Sequence, residues 1–168
     1  MDRELLLKAR AGDREAFELV VAAKAEPLFR TAMAIVGNEA DARDATQETF
    51  INAWRSFGHL RDPEHFDAWI GRILINQCRM ALRHRGRVRE IAITDSTDYR
   101  RPAPPDSTSD FDAAFDRLSV DQRALLVLHH MHGYDVREIA GWLGIPTGTV
   151  KWRLSRARRA FAMELDRQ

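Results

Sequence analysis

Residues 136–159, VREIAGWLGIPTGTVKWRLSRARR, admit very few folds. They spell two short helices around a tight turn: Ala140 is small where paired helices meet, Gly144 is a permissive turn residue and Val150 is an apolar core contact, as a helix-turn-helix requires. Gly144 accepts the left-handed backbone that ends a first helix. Pro146 and Thr147 suit the opening of a second, with Thr147 as the residue that caps free amides. Lys151, Arg153, Arg156, Arg158 and Arg159 follow without an acid among them, so the second helix carries a field that attracts phosphate. Its first turn offers Thr147 and Thr149 to base edges. An ordinary helical hairpin with a solvated basic face is the plainer alternative, but the turn chemistry and the one-signed charge together favour DNA reading.

A chain of 168 residues, 45% hydrophobic and 30% charged, has material for one moderate core or two small ones and is neither disordered nor disulfide-rich in composition. The single cysteine, Cys78, has no internal partner, and the opening residues lack the apolar run of a signal peptide or membrane span. A cytoplasmic protein without membrane insertion is expected. The formal net charge is only +1, yet its distribution is uneven. Arg72 to Arg89 holds six Arg and no acid, Glu90 to Asp121 holds eight acids against three Arg, and Thr147 to Arg159 is basic again.

Helical spacing and helix stops divide the first half. Asp13 is a candidate N-cap, Pro27 a first-turn residue, and Gly37-Asn38 a stop followed by a new start. A helix over about 41–57 puts Phe50, Ile51, Trp54 and Phe57 on one side and Asp44, Gln47 and Glu48 on another. Gly58 to Asp62 breaks it. Asp62-Pro63 then opens a helix to about His84 that buries Phe66, Trp69, Ile70, Ile73 and Leu74, with Arg72, Asn76, Arg79 and Arg83 as a basic stripe behind. Residues 90–109 lose the helical period and gather Pro, Ser, Thr and Asp, a linker composition. Ser119 with Gln122 and Asp135 with Glu138 form capping boxes for two later helices. The fold class that follows is all-α: two small helical domains, 1–89 and 110–168, joined by a flexible linker over 90–109.

Three segments in one order, DARDATQETFINAWRSF, HFDAWIGRILINQCRMALR and YDVREIAGWLGIPTGTVKWRLSRARRAF, resemble the extracytoplasmic-function (ECF) group of the sigma-70 family of bacterial RNA polymerase sigma factors. The resemblance covers nearly the whole chain. It implies that the first domain is sigma region 2, which grips core RNA polymerase and opens the −10 element, and that the second is region 4, which reads the −35 element. Carried over by position, it assigns polymerase docking to Asp44, Gln47, Glu48 and Phe50. It assigns −10 contacts to His59, Leu60, Arg61, His65, Asn76, Arg79 and Arg83. Cations along the strand and stacking or hydrogen-bonding groups around an unstacked base are what that task needs. Trp69 is expected in the core. The −35 contacts fall on Thr147, Thr149, Lys151, Trp152, Arg153 and Arg156, with Trp152 standing where the family commonly has serine. The partners implied are core polymerase, promoter DNA (duplex at −35, single-stranded at −10) and an anti-sigma factor that covers both domains.

A relaxed 20-residue linker spans roughly 25 Å and an extended one roughly 65 Å, against roughly 50–55 Å between elements one and a half duplex turns apart. The linker reaches only when held extended. His129, His130 and His132 lack a metal-ligand pattern, and no phosphate loop or nucleophile–base pair is present. No metal, cofactor, small-molecule substrate or enzymatic activity is therefore expected. The rival readings are a stand-alone helix-turn-helix regulator, which leaves the first domain unexplained, and a helical adaptor, which leaves two basic helices unexplained.

Overall fold

Every regular element among the described residues is helical. The computed structural model describes residues 1–94 and 110–167, with only the backbone given for 85–94. Helix α1 (Arg3–Arg10) is followed by α2 (Arg14–Val36), which starts where the Asp13 carboxylate accepts from the Ala16 amide at 3.0 Å. Gly37, at φ 78°, ends α2 in the left-handed region, and Asn38 caps α3 (Glu39–Ser56). The stop and restart match expectation.

Pro27 does not open a helix; it lies inside α2. Its missing amide costs one backbone bond, but its ring is on the exposed side, where the carbonyl one turn back can turn to water. The packing face of α3 also differs from the aromatic one expected. Ala42, Ala45, Thr46, Thr49 and Ala53 are the buried residues, small enough to let α3 lie against both α2 and α4 (Phe66–Thr94). Thr46 and Thr49 discharge their hydroxyls onto the Ala42 and Ala45 carbonyls at 2.8 and 2.6 Å. Of the aromatics on α3, Phe50 is half-buried and Trp54 is 42% exposed, its ring 4.9 Å from Phe17.

Asp62 caps a short 3₁₀ turn, Pro63–His65, that runs into α4. Phe66, Ile70 and Leu74 are buried as the spacing predicts, while Trp69 and Ile73 are half-buried. Phe57 sits at the centre of an aromatic cluster, 5.7 Å from Phe17, 5.7 Å from Phe66 and 5.4 Å edge-on to Trp69. Helix α4 continues to Thr94, ten residues beyond the stop expected near His84, because the strong breakers gather only beyond that point. The rest of the expected linker, 95–109, lies outside the described residues.

The second domain contains α5 (Asp110–Asp116), α6 (Val120–Leu126) with a π-turn over Val127–Met131, α7 (Val136–Leu143) and α8 (Thr147–Leu165). Both capping boxes are formed. Gly144, at φ 65°, turns α7 into α8. Thr147 is not the cap: Pro146 takes that position and Thr147 is the first helical residue, so no side chain caps α8. The domains are also in contact. The turn of α6 and helix α7 lie against α2 and α4, and buried residues from both domains form one contiguous apolar cluster.

Phe57→Ala removes the centre of the aromatic cluster and is expected to cost about 3–5 kcal/mol, read as a lowered midpoint in urea unfolding. A loss under about 1 kcal/mol would contradict the central role given to that ring.

Candidate nucleic-acid interface

Helix α8 buries Val150, Leu154 and Ala157 at helical spacing and turns its other face outward. Thr147, Lys151, Trp152 and Arg156 are exposed there, with Thr149 and Arg153 half-buried beside them. All six expected −35 residues therefore lie on one helix. The Arg156 guanidinium stands 5.1 Å over the exposed Trp152 ring, a cation–π contact worth about 0.5–1 kcal/mol at such a site. It restrains a long cation in one orientation while leaving its outer donors open. Asp135 fixes the start of α7; its carboxylate, receiving the Glu138 amide first and the Arg137 amide as well, is held below the usual range.

On α4 the basic stripe is present but not free. Arg72 is 3.0 Å from the Gly141 carbonyl through Nη2 and 3.4 Å from the Trp142 carbonyl through Nε. These are two of the terminal carbonyls that α7 leaves without intrahelical donors, at the negative end of its dipole. Arg79 donates from Nε to Asp121 at 2.7 Å and from Nη1 to the Asn76 amide oxygen at 2.7 Å. Arg83 is exposed.

In the loop before α4, His59, Arg61 and His65 are exposed. Leu60 is not: its side chain is only 4% exposed and belongs to the core, so it leaves the set of residues expected to face a base. Its carbonyl and that of Arg61 accept from Arg10 at 3.3 Å, tying the loop to α1. The Asp62 carboxylate is held below its usual range chiefly by the Glu64 amide, and it pairs with His65 at 3.3 Å. Asp44, Gln47 and Glu48 are exposed on α3, while Phe50 packs partly into the core beneath them.

Three structural residues were not singled out from the sequence. Arg123 is 6% exposed; it donates to the Leu118 carbonyl at 3.2 Å and, across the domains, to the Ile35 carbonyl at 3.2 Å, and pairs with Asp116. Gly71 lies under the Trp142 indole, so closely that an added Cβ would fall 1.8 Å from a ring carbon. A glycine inside an amphipathic helix was the one available signal for that approach; buried Arg123 carried none. Of the three histidines around the π-turn, His129 is half-buried and His130 and His132 are exposed. His132 is 3.1 Å from the Thr31 hydroxyl, whose proton goes to the Pro27 carbonyl, so the ring is the donor. Burial lowers the pKa of His132, and burial with the nearby Arg158 lowers that of His130. Burial pushes the Cys78 thiol up to about 12, which leaves it unreactive at neutral pH. Among the described residues no cluster of His, Cys, Asp and Glu is arranged to hold a metal, and no helix is long and apolar enough to cross a membrane.

Residues 20–88 match the family description Sigma-70 region 2, and residues 109–161 match Sigma-70, region 4. The chain is 34% identical over 162 residues to the ECF RNA polymerase sigma factor SigM of Mycobacterium tuberculosis, covering 96% of this chain and 83% of that protein. It is 35% identical to the ECF RNA polymerase sigma factor SigE of Mycolicibacterium smegmatis, covering 88% of this chain and 62% of that longer protein. Among solved structures, CnrH in complex with the cytosolic domain of CnrY is similar at a TM-score of 0.71 and 27% identity, covering 99% of this chain and 98% of that one. The sigma factor RpoE of Bartonella quintana, in complex with the anti-sigma factor NepR, is similar at a TM-score of 0.66 and 28% identity, covering 89% and 96%. This chain belongs to the ECF sigma factors of the sigma-70 family, non-enzymatic initiation factors that direct RNA polymerase to promoters. The stand-alone regulator and the adaptor are thereby set aside.

Arg123→Ala leaves the Asp116 carboxylate and the Leu118, Ile35 and Asp116 carbonyls without their shared donor. The expected loss is roughly 2–4 kcal/mol, below the full cost of a broken buried pair because Asp116 retains some solvent, measured by chemical unfolding. Stability within about 0.5 kcal/mol of wild type would refute the linking role.

Proposed function

We propose that this chain divides initiation between its domains. Region 2 docks on core polymerase through Asp44, Gln47 and Glu48, with Phe50 as an apolar support. It then holds the opened −10 strand with His59, Arg61, His65, Asn76, Arg79 and Arg83. Region 4 inserts the first half of α8 into the −35 major groove, where Thr147, Thr149, Trp152, Arg153 and Arg156 meet bases or phosphates and Lys151 meets phosphate. The observation that carries this reading is the outward face of α8, acid-free from Thr147 to Arg159 and set on a helix-turn-helix with a left-handed glycine at its corner. Further support comes from the carboxylate stripe on α3, where Asp44, Gln47 and Glu48 are exposed while Ala42, Ala45, Thr46, Thr49 and Ala53 are buried. The setting is the cytoplasm, where polymerase and promoters are, and the likeness to a sigma factor solved with an anti-sigma factor supports a comparable partner here.

Reconstitution with core polymerase on a library of upstream sequences is expected to yield transcripts from a defined start. Glu48→Lys combined with Asp44→Lys is expected to weaken holoenzyme assembly at least tenfold without loss of helicity by circular dichroism. Lys151→Ala is expected to reduce binding on all promoters alike and to flatten the slope of log affinity against log salt by about 0.9. A change in sequence preference instead would make Lys151 a base-reading residue.

A further inference from the structure

We infer that Trp152 reads the C5-methyl group of a thymine in the −35 duplex, and that Arg156, laid against its ring, holds the indole ready for that contact. The inference rests on the proposed placing of α8 in the −35 major groove and names what one of its side chains recognises there. Trp152 is 55% exposed, in the second turn of α8 and on the side opposite the buried Val150, Leu154 and Ala157. The Arg156 guanidinium, one turn further on, stands 5.1 Å from the centre of its ring. One turn back is Gly148, where an added Cβ would meet no atom of the described residues within 4 Å. Helical side chains lean toward the start of their helix, so the indole is supported from behind by a cation and leans toward open space.

An indole suits few base edges. It brings an apolar surface and, at Nε1, a donor with no acceptor. In the major groove thymine answers both: its C5-methyl is the apolar group that no other base presents there, and O4 beside it is an acceptor. Cytosine puts a donor amine where thymine has O4 and carries no methyl, so the indole N–H would face a second donor. Purine edges offer acceptors but leave the ring's apolar surface without a partner. A serine hydroxyl in the same place both donates and accepts and tolerates any of these edges, so tryptophan trades tolerance for choice. Arg156 sharpens the choice, because a ring already restrained loses less freedom when it binds.

Reconstituted holoenzyme and promoter DNA test this. The −35 element is selected from a randomised duplex, and each thymine in it is then replaced in turn by deoxyuridine, which removes the methyl group and leaves O4 and pairing unchanged. Binding is read in competition with the unmodified promoter. One replacement is expected to weaken binding about fourfold, the effect of leaving one methyl-sized group uncovered. With Trp152→Ser, its helicity checked by circular dichroism, the same replacement is expected to cost nothing, and selection is expected to lose its preference for thymine at that place. Trp152→Phe keeps a ring and is expected to keep the penalty. An element without thymine, deoxyuridine tolerated at every place by the unsubstituted protein, or a penalty that survives Trp152→Ser would each overturn the thymine reading while leaving α8 in the groove. A holoenzyme that selects no −35 sequence at all would overturn both this inference and the placing of α8.

Discussion

An indole laid on a bare stretch of helix fixes the relation between the two domains. Gly71 leaves α4 without a side chain at one point, Trp142 occupies that point at 6% exposure, and the two helices approach as no larger residue would allow. Contacts of this kind depend on shape more than on area, because dispersion between an aromatic ring and the backbone falls away steeply with a gap of even an ångström. Once the ring is seated, Arg72 comes within reach of the α7 carbonyls and Arg79 within reach of Asp121, so the polar ties follow from the apolar one.

Arginine makes the polar ties of α4 to the second domain. Its planar group suits carbonyls at a helix end and a carboxylate alike, and Arg72 and Arg79 use it on the α7 carbonyls and on Asp121. Because these contacts are partly solvated and salt-sensitive, none is strong alone, and they act together with the buried Trp142 ring.

Much of this was legible in the residues. Caps and stops at Asp13, Gly37-Asn38, Ser119, Asp135 and Gly144 are local chemistry, readable because each is decided within a few residues. Val150 turns inward on α8, with Leu154 and Ala157 one and two turns on, for the same reason, since periodicity alone sets which side chains point together. What escaped was decided at a distance. Proline is usually excluded from helix interiors, which makes Pro27 resemble a start, but a long helix that turns its proline to the exposed side tolerates it. Thr147 was displaced from the cap by Pro146, a one-residue shift in register. Leu60 was assigned to a base pocket through resemblance, and packing against the core claimed it instead. Arg123 and the Trp142–Gly71 contact involve partners from the other domain, and a single sequence carries no record of which residues meet across such a gap.

The central claim is that the two domains are held together by Trp142 seated on Gly71. Fluorophores placed by Arg55→Cys on α3 and Arg137→Cys on α7, two exposed positions in different domains, report it directly through resonance energy transfer, with buried Cys78 left unlabelled. The account predicts high transfer in the free protein and a marked fall on Gly71→Ala, whose Cβ would fall 1.8 Å from a Trp142 ring carbon. Low transfer in the unsubstituted protein, or transfer that Gly71→Ala leaves unchanged, would contradict it.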